Sequence, residues 1–314
     1  MAVVTTGFFD GVHIGHRHVL EAVVSCARER GEEAVVVTFW PHPRTVLQQD
    51  ARDLRLLSSL EEKKALLAAA GIDRVEVLPF TRAFAAMTAA EYLQMLRDKF
   101  GATVVVMGYD NRIGSDRKEI RDLLGQAYHS EIASASLRPL PQPTAAGPSL
   151  LCCRGWHKFP NGTPAPSGHI SSTSIRNALS VGDVELANAM LGYNYGLYGV
   201  VVAGNRLGRT IGFPTANMKL YEPLKLVPEG GVYAVDVQVL GKEYRGMCNI
   251  GVRPTVGANN GLTIETNIFD FDEDIYGLDI RIAFRRRIRA EQRFASLEEL
   301  KEQLQKDRLA SLQV

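Results

Sequence analysis

His13 and His16 stand one short turn apart in the run GFFDGVHIGH at 7–16. Two imidazoles so spaced at the start of a helix can donate hydrogen bonds to one phosphate. Such donors count most where negative charge develops, as on a phosphorus under attack. Helix N-terminal amides add to the effect, and the glycines of the run let the backbone approach the anion closely. A second run, ISSTSIR at 170–176, sets the hydroxyls of Ser171, Ser172 and Thr173 before a helix, with the fixed charge of Arg176 one turn on. By residue type alone it is equally an ordinary helix cap with an exposed arginine. A third, TFWPHPR at 38–44, carries His42 and Arg44 past the end of a strand. A fourth, GNRLGRTIGFPTAN at 204–217, spaces Gly204, Gly208 and Gly212 for a loop that wraps phosphate with its amides. Arg206 and Arg209 are close by, and Thr215 and Asn217 offer oxygens that suit a Mg2+ carried by a nucleotide. This loop is neither a Walker A nor a GxGxxG sequence, so its glycines alone do not assign it.

Two kinds of pattern must position these residues. Residues 2–6, 34–39, 74–78 and 103–107 are short apolar runs that read as buried strands. Between them, helical periodicity runs from His16 to Arg30, from Ser59 to Ala70 and from Thr88 to Phe100, the last with a Thr88/Glu91 capping box. Alternating strand and helix predicts a doubly wound α/β domain, and GFFDGVHIGH falls where such sheets bind ligands. From Arg138 to Gly168 proline, glycine and serine dominate, which predicts a long irregular loop. Helices are predicted at 173–179 and 184–191, the second capped by Asp183. From Tyr195 the pattern changes to short alternating runs at 198–203, 232–239, 263–269 and 278–284, as in an antiparallel sheet or small barrel. An amphipathic helix from Ser296 to Ala310 follows, with Ser296 and Glu299 as a capping box. These patterns divide the chain into domains 1–190 and 191–314.

The chain has 314 residues, 46% of them hydrophobic, and a net charge of +1. That length fits about two domains of roughly 100–200 residues each. The near-neutral balance excludes broad attraction to nucleic acid or membrane, so an acidic substrate must be held locally. The basic run Arg285-Arg286-Arg287 lacks an aromatic stacking platform and reads as a solvated face. Cys26, Cys152, Cys153 and Cys248 show no CxxC spacing. Adjacent cysteines rarely chelate one metal, and no second ligand pair follows Cys152, Cys153 and His157. Reduced thiols in a cytoplasmic protein are therefore expected, not zinc. The segment MAVVTTGFFDG lacks the features of a signal peptide, and no stretch approaches the ~18 apolar residues of a membrane span. Small-molecule partners are expected; the oligomeric state stays open.

GFFDGVHIGH, TFWPHP and ISSTSIR together resemble the nucleotidyltransferase superfamily, whose hallmark is HxGH with a distant ISSTxxR. Within it they resemble the FMN adenylyltransferase module of bacterial bifunctional FAD synthetases. GFPTAN at 212–217 resembles the riboflavin kinase signature. GVYAV at 231–235, NIGVRPT at 249–255, IETNIFDF at 264–271, YG at 276–277 and FRRRIRAEQRF at 284–294 follow in that family's order. The resemblance implies a Rossmann-like nucleotidyltransferase domain followed by a small antiparallel β-barrel with a terminal helix. It implies ATP, Mg2+ and flavins (riboflavin, FMN and FAD) as cofactor, substrates and products.

On the transferase side, the resemblance implies that His13 and His16 stabilise the ATP phosphates while the FMN phosphate attacks the α-phosphorus. Gly7, Phe8, Asp10 and Gly15 would belong to the nucleotide loop, with Asp10 shaping it. Ser171, Ser172, Thr173 and Arg176 would hold the triphosphate, and His42, Pro43 and Asp110 would face the flavin. On the kinase side it implies Glu265 as the base for the ribityl hydroxyl and Thr215 and Asn217 as Mg2+ contacts. Gly204, Arg209, Gly212 and Pro214 would line the nucleotide site, and Arg289 and Phe294 would close over the flavin. By residue type, Glu265 is also simply a charge alternating out of a strand. Three features depart from the family: GYDNRIG at 108–114 stands where GxDFRFG is usual, with Asn111 and Ile113 in place of phenylalanines; SDRKEI at 115–120 replaces a Gly-rich stretch; and the Pro-rich segment 139–168 is longer than expected.

The leading expectation is an enzyme that makes FMN and then FAD. Two alternatives are open at this point. One is a kinase with an altered transferase site, on the strength of GYDNRIG. The other is a non-catalytic flavin-binding regulator, against which both histidines and Glu265 argue.

Overall fold

The computed structural model describes residues 1–47, 53–108, 111–119, 149–153, 170–204, 207–253 and 261–314. The chain forms two compact units, Met1–Leu54 with Ser58–His169, and Arg55–Leu57 with Ile170–Val314.

The first unit runs β1 (Ala2–Thr6), a one-turn 3-10 helix (Asp10–Val12), α1 (Ile14–Arg30), β2 (Glu33–Trp40), α2 (Pro43–Leu47), α3 (Leu60–Ala69), β3 (Arg74–Pro79), α4 (Arg82–Ala85), α5 (Ala89–Phe100) and β4 (Ala102–Gly108). The two-residue strands β5 (Arg112–Ile113) and β6 (Lys118–Glu119) follow, then β7 (Ser149–Cys153). Five strands make a parallel sheet in the order β3-β2-β1-β4-β7. The chain builds outward from β1 on one side, then returns to start β4 on the other. The crevice beyond the carboxyl ends of β1 and β4 is therefore the switch point where open α/β sheets take ligands.

Alternation puts Val3, Val36 and Val104 on the face covered by Leu20, Val23 and Ala27 of α1. Val4, Val35 and Val105 lie on the face covered by Tyr92, Leu96 and Phe100 of α5. Local signals agree with these positions. Gly31 stops α1 in the left-handed region (φ 64). Ser59 with Glu62 and Thr88 with Glu91 form complete capping boxes on α3 and α5. β7 lies inside the stretch expected to be irregular. Its five residues, SLLCC, pair with β4 from Val104↔Ser149 to Gly108↔Cys153, and the surrounding prolines mask so short an apolar run.

The second unit begins with α6 (Ser172–Ser180) and α7 (Val184–Leu191). It continues with β8 (Gly196–Val202), α8 (Leu207–Thr210), β9 (Ala216–Leu220), β10 (Gly231–Val239), β11 (Lys242–Arg253), β12 (Gly261–Ile268), β13 (Asp279–Arg289) and α9 (Leu297–Leu312). Six antiparallel strands close a barrel in the order β10-β11-β12-β9-β8-β13. Tyr233, Val235, Ile250, Ile264, Ile282 and Phe284 fill it. Ile175 and Leu179 of α6 and Ala187 and Leu191 of α7 join the same core, so the two helices that precede the change of pattern near 190 pack with the barrel. β9 and β11 carry too many polar and glycine residues to announce themselves. Gly246 in β11 is required because a Cβ there would lie 2.7 Å from the Asn267 carbonyl oxygen of the next strand.

The terminal helix α9 packs Leu304 against Phe213, Val232, Met247 and Phe269. Ser296 caps it, but the Glu299 carboxylate accepts from the Ala295 amide at 3.0 Å, so the expected reciprocal box reaches one residue further back. The basic run is pinned as well as solvated: Arg285 pairs with Asp236, and Arg287 donates to the Val181 and Gly230 carbonyls. Arg289 makes a forked pair with Asp307 of α9 at 2.8–3.0 Å, and Asp307 is 1% exposed. Removing one partner of a buried pair strands the other charge. Asp307→Ala is expected to destabilise the second unit by about 3 kcal/mol in urea unfolding. A loss below about 1 kcal/mol, the worth of a surface pair, would show that Arg289 does not anchor the helix.

Candidate active sites

β1 ends at Thr6, and the backbone then turns sharply. Phe9 (φ 51) and Val12 (φ 37) hold left-handed conformations without being glycine, and Gly11 has φ 77. Such conformations cost on the order of 1 kcal/mol each and need bracing. The brace is Asp10, which is buried. Its Oδ1 accepts from the Ser58 amide at 3.1 Å and lies 3.4 Å from the Ser58 hydroxyl. The same hydroxyl oxygen accepts from the Gly11 amide at 3.0 Å. A Cβ on Gly7 would press the Phe9 ring at 3.2 Å.

This turn delivers His13 as the N-cap of α1. Its Nδ1 accepts from the His16 amide at 3.3 Å. Nδ1 is therefore unprotonated, and in the neutral ring the proton sits on Nε2. The His13 and His16 rings stack, with centroids 3.6 Å apart and planes 17° apart. His16 Nδ1 is enclosed and has no hydrogen-bond partner among the described residues. Burial, then the His13 ring, then the Lys63 ammonium hold the His16 pKa well below 6.5. The stacked pair stands at the start of α1, beyond the carboxyl end of β1. Gly15 lies in the first turn of α1.

Lys63, which sequence reading missed, is completely buried on α3. Its Nζ stands 3.5 Å from the centroid of the Phe8 ring, and Phe8 meets His42 edge-on at 4.2 Å. Burial lowers the Lys63 pKa to about 8 against the raising effect of Asp10. The available signal was its spacing: Lys63 and Leu67 are one turn apart on the buried face.

A cavity of about 480 Å³ opens beside the loop, lined by Thr6, Gly7, Phe39, Phe80, Phe84, Tyr92 and residues 111–115, among others. Phe84 packs on Phe39, Phe80 and Tyr92 at 5.4–5.6 Å between centroids. The Tyr92 hydroxyl meets Thr6 Oγ1 at 2.5 Å, and burial pushes its pKa up. Asn111 and Ile113 line this cavity, but its aromatic walls come from β2, from the segment after β3 and from α5. No periodic signal links those four rings in the sequence. Gly114 is forced to be glycine, since a Cβ there would lie 2.2 Å from the Ala89 amide nitrogen. Of the expected flavin-side residues, His42 sits against Phe8, Pro43 opens α2, and Asp110 lies outside the described residues.

In the second unit, Ser171 caps α6 in a complete box with Ser174, and Ser172 and Thr173 occupy the first turn. Arg176 Nε donates to the Arg55 carbonyl at 2.8 Å. A separate cavity of about 200 Å³ is lined by Gly204, Arg209, Pro214, Thr215, Asn217 and the acidic stretch 272–274, among others. A Cβ on Gly204 would lie 2.1 Å from Asn217 Nδ2, so glycine lets the Asn217 side chain pack there. The Pro214 carbonyl accepts from Asn267 Nδ2 at 2.7 Å. Gly212 (φ 83) serves conformation, with open space around it. Glu265 pairs in register with Asn217 across β12 and β9 and is half-buried. Directly opposed residues share a face, although Glu265 does not line the cavity. Arg289, held by Asp307, lies with its guanidinium 5.6 Å from the Phe294 ring. Among the described residues no group of three or more His, Cys, Asp or Glu could hold a metal. No helix among them is long and apolar enough to cross a membrane.

The lowered His16 pKa has a definite sign. The folded ring binds its proton less readily than the unfolded ring near 6.5. Its contribution to stability is present above that pH and is lost as pH falls through the folded value. Ring NMR at pH 6 is expected to find His16 neutral; a mostly protonated ring would contradict the environment described.

The comparisons with known proteins match both halves. The FAD synthetase family matches residues 1–140, and the riboflavin kinase family matches residues 191–314. The bifunctional riboflavin kinase/FMN adenylyltransferase of Escherichia coli strain K12 is 38% identical over 98% of this chain and 91% of its own length. That of Bacillus subtilis strain 168 is 34% identical over 98% and 90%. A crystal structure described as a macrolide-efflux protein from Streptococcus pneumoniae superposes with a TM-score of 0.84 at 31% identity, covering 99% of this chain and 93% of that one. With two family matches in sequence order and relatives aligned almost end to end, this chain belongs to the bifunctional riboflavin kinase/FMN adenylyltransferase family.

Proposed function

We propose that the chain makes FMN from riboflavin and ATP, then FAD from FMN and ATP, at two separate sites. The observation that carries the second step is the stacked His13–His16 pair at the sheet's switch point, beside an aromatic cavity of about 480 Å³. A planar flavin suits the walls formed by Phe39, Phe80, Phe84 and Tyr92, which supply aromatic surface that Asn111 and Ile113 do not. In this reading the FMN phosphate attacks the α-phosphorus of ATP and pyrophosphate leaves. The chain positions the reactants and stabilises developing charge. The Nε2–H group of His13, the ring of His16 and the amides of the Gly7–Gly15 loop receive the phosphates. Ser171, Ser172, Thr173 and Arg176 are further triphosphate contacts. Residues 1–190 are the functional transferase segment, and 191–314 the kinase.

In the kinase the ribityl 5′-hydroxyl attacks the γ-phosphorus of ATP and ADP leaves. Glu265 accepts the hydroxyl proton. Gly204, Arg209, Gly212 and Pro214 shape the nucleotide side, and Arg289 and Phe294 border the flavin side. The oxygens of Thr215 and Asn217 fit a hard cation, while among the described residues no group of three or more His, Cys, Asp or Glu could hold one by itself. Mg2+ would enter on the nucleotide and neutralise phosphate charge there. A cytoplasmic location accords with the buried free thiols of Cys26 and Cys248, the latter with a pKa pushed up to about 12 by burial.

His16→Ala is expected to lower FAD formation from FMN by at least about 100-fold, the usual worth of a transition-state donor, while FMN formation continues. Glu265→Ala is expected to stop FMN formation from riboflavin while FAD formation from supplied FMN persists. Chromatography of the flavin products reads both; loss of both activities in either variant refutes separate sites.

A further inference from the structure

Lys63 and Leu67 occupy the inner face of α3, and both are completely buried. Burying an ammonium is strongly unfavourable unless hydrogen bonds replace its hydration. Lys63 Nζ has no hydrogen-bond partner among the described residues. It has the face of Phe8 at 3.5 Å. Asp10 is the opposing charge in its surroundings, but Asp10 Oδ1 bonds to Ser58 instead. His16 lies within the field of the same ammonium. A positive charge is thus stored under the 7–16 loop without a hydrogen-bonded anion, where packing alone would be served by methionine.

We propose that Lys63 is a positioning residue of the adenylyl-transfer site, its ammonium under Phe8 acting as fixed counter-charge for the triphosphate of ATP bound on the 7–16 loop. The proposal rests on the reading of that loop as the ATP site. Lys63 does not touch the phosphates. The Phe8 ring face holds the ammonium, whose charge acts through space, because a low-dielectric surround screens a fixed charge far less than water does. The same ring meets His42 of the neighbouring segment edge-on at 4.2 Å. The site therefore carries its charge complement before substrate arrives.

The test is Lys63→Met in the full chain, assayed with FMN, ATP and Mg2+. The KM for ATP is expected to rise at least tenfold while the KM for FMN stays within twofold and riboflavin phosphorylation on the same chain is unchanged. Ring NMR is expected to show the His16 pKa moving up toward 6.5. Thermal unfolding is expected at or above the wild-type temperature, since a buried charge is removed. An unchanged KM for ATP, or equal losses for ATP and FMN, overturns the proposal. If the variant does not fold, the wild type decides. The Lys63 Cε resonance is expected to titrate near 8 in the free protein, and saturation with a non-hydrolysable ATP analogue is expected to raise that midpoint by at least one pH unit. No movement overturns the proposal. Wild-type protein that makes no FAD from FMN would instead refute the reading of the loop itself.

Discussion

The carboxylate of Asp10, bonded to Ser58, braces a turn that the backbone would not otherwise hold. Two non-glycine residues, Phe9 and Val12, sit in left-handed conformations on either side of Gly11. The turn ends with His13 as the cap of α1, and the cap bond fixes which nitrogen of His13 carries the proton. Stacking then places His16. The chemistry proposed for this unit follows from that chain of constraints: strand order creates a crevice, and the braced turn sets the stacked histidine pair at the start of the first helix.

The kinase unit solves its positioning problem differently. A closed barrel leaves no sheet edge, so its loops and strand ends carry the site on a rigid frame. Glycine matters there for close approach: Gly204 yields to the Asn217 side chain, and Gly246 to the backbone of the adjoining strand. The Arg289–Asp307 pair ties the last strand to the terminal helix, which also closes over Phe213 and Phe269. The GFPTAN segment is held by the Asn267 bond to the Pro214 carbonyl and by the pairing of Asn217 with Glu265.

Features set by near neighbours were legible in the sequence. The capping pairs Ser59–Glu62 and Thr88–Glu91, the stop at Gly31 and the buried runs of the parallel sheet each depend on residues a few positions apart. Features made by distant residues were not legible. Phe39, Phe80, Phe84 and Tyr92 converge from three places to line one cavity. Lys63 stands in LEEKK, which reads as a solvated helix face until α3 is placed on the turn at Asp10. β7 was hidden by its proline-rich flanks, and α6 and α7 pack with the barrel although the strand pattern begins only after them.

The central claim is that two chemically distinct transfers from ATP occur on one chain, and labelled nucleotide tests it most directly. Wild-type protein is incubated with Mg2+ and either riboflavin with ATP labelled at the γ-phosphorus, or FMN with ATP labelled at the α-phosphorus. The account requires label in FMN in the first case. In the second it requires label in FAD, with unlabelled pyrophosphate released. Label reaching FMN but never FAD would leave the braced histidine pair without its assigned chemistry, and label in neither would contradict the account as a whole.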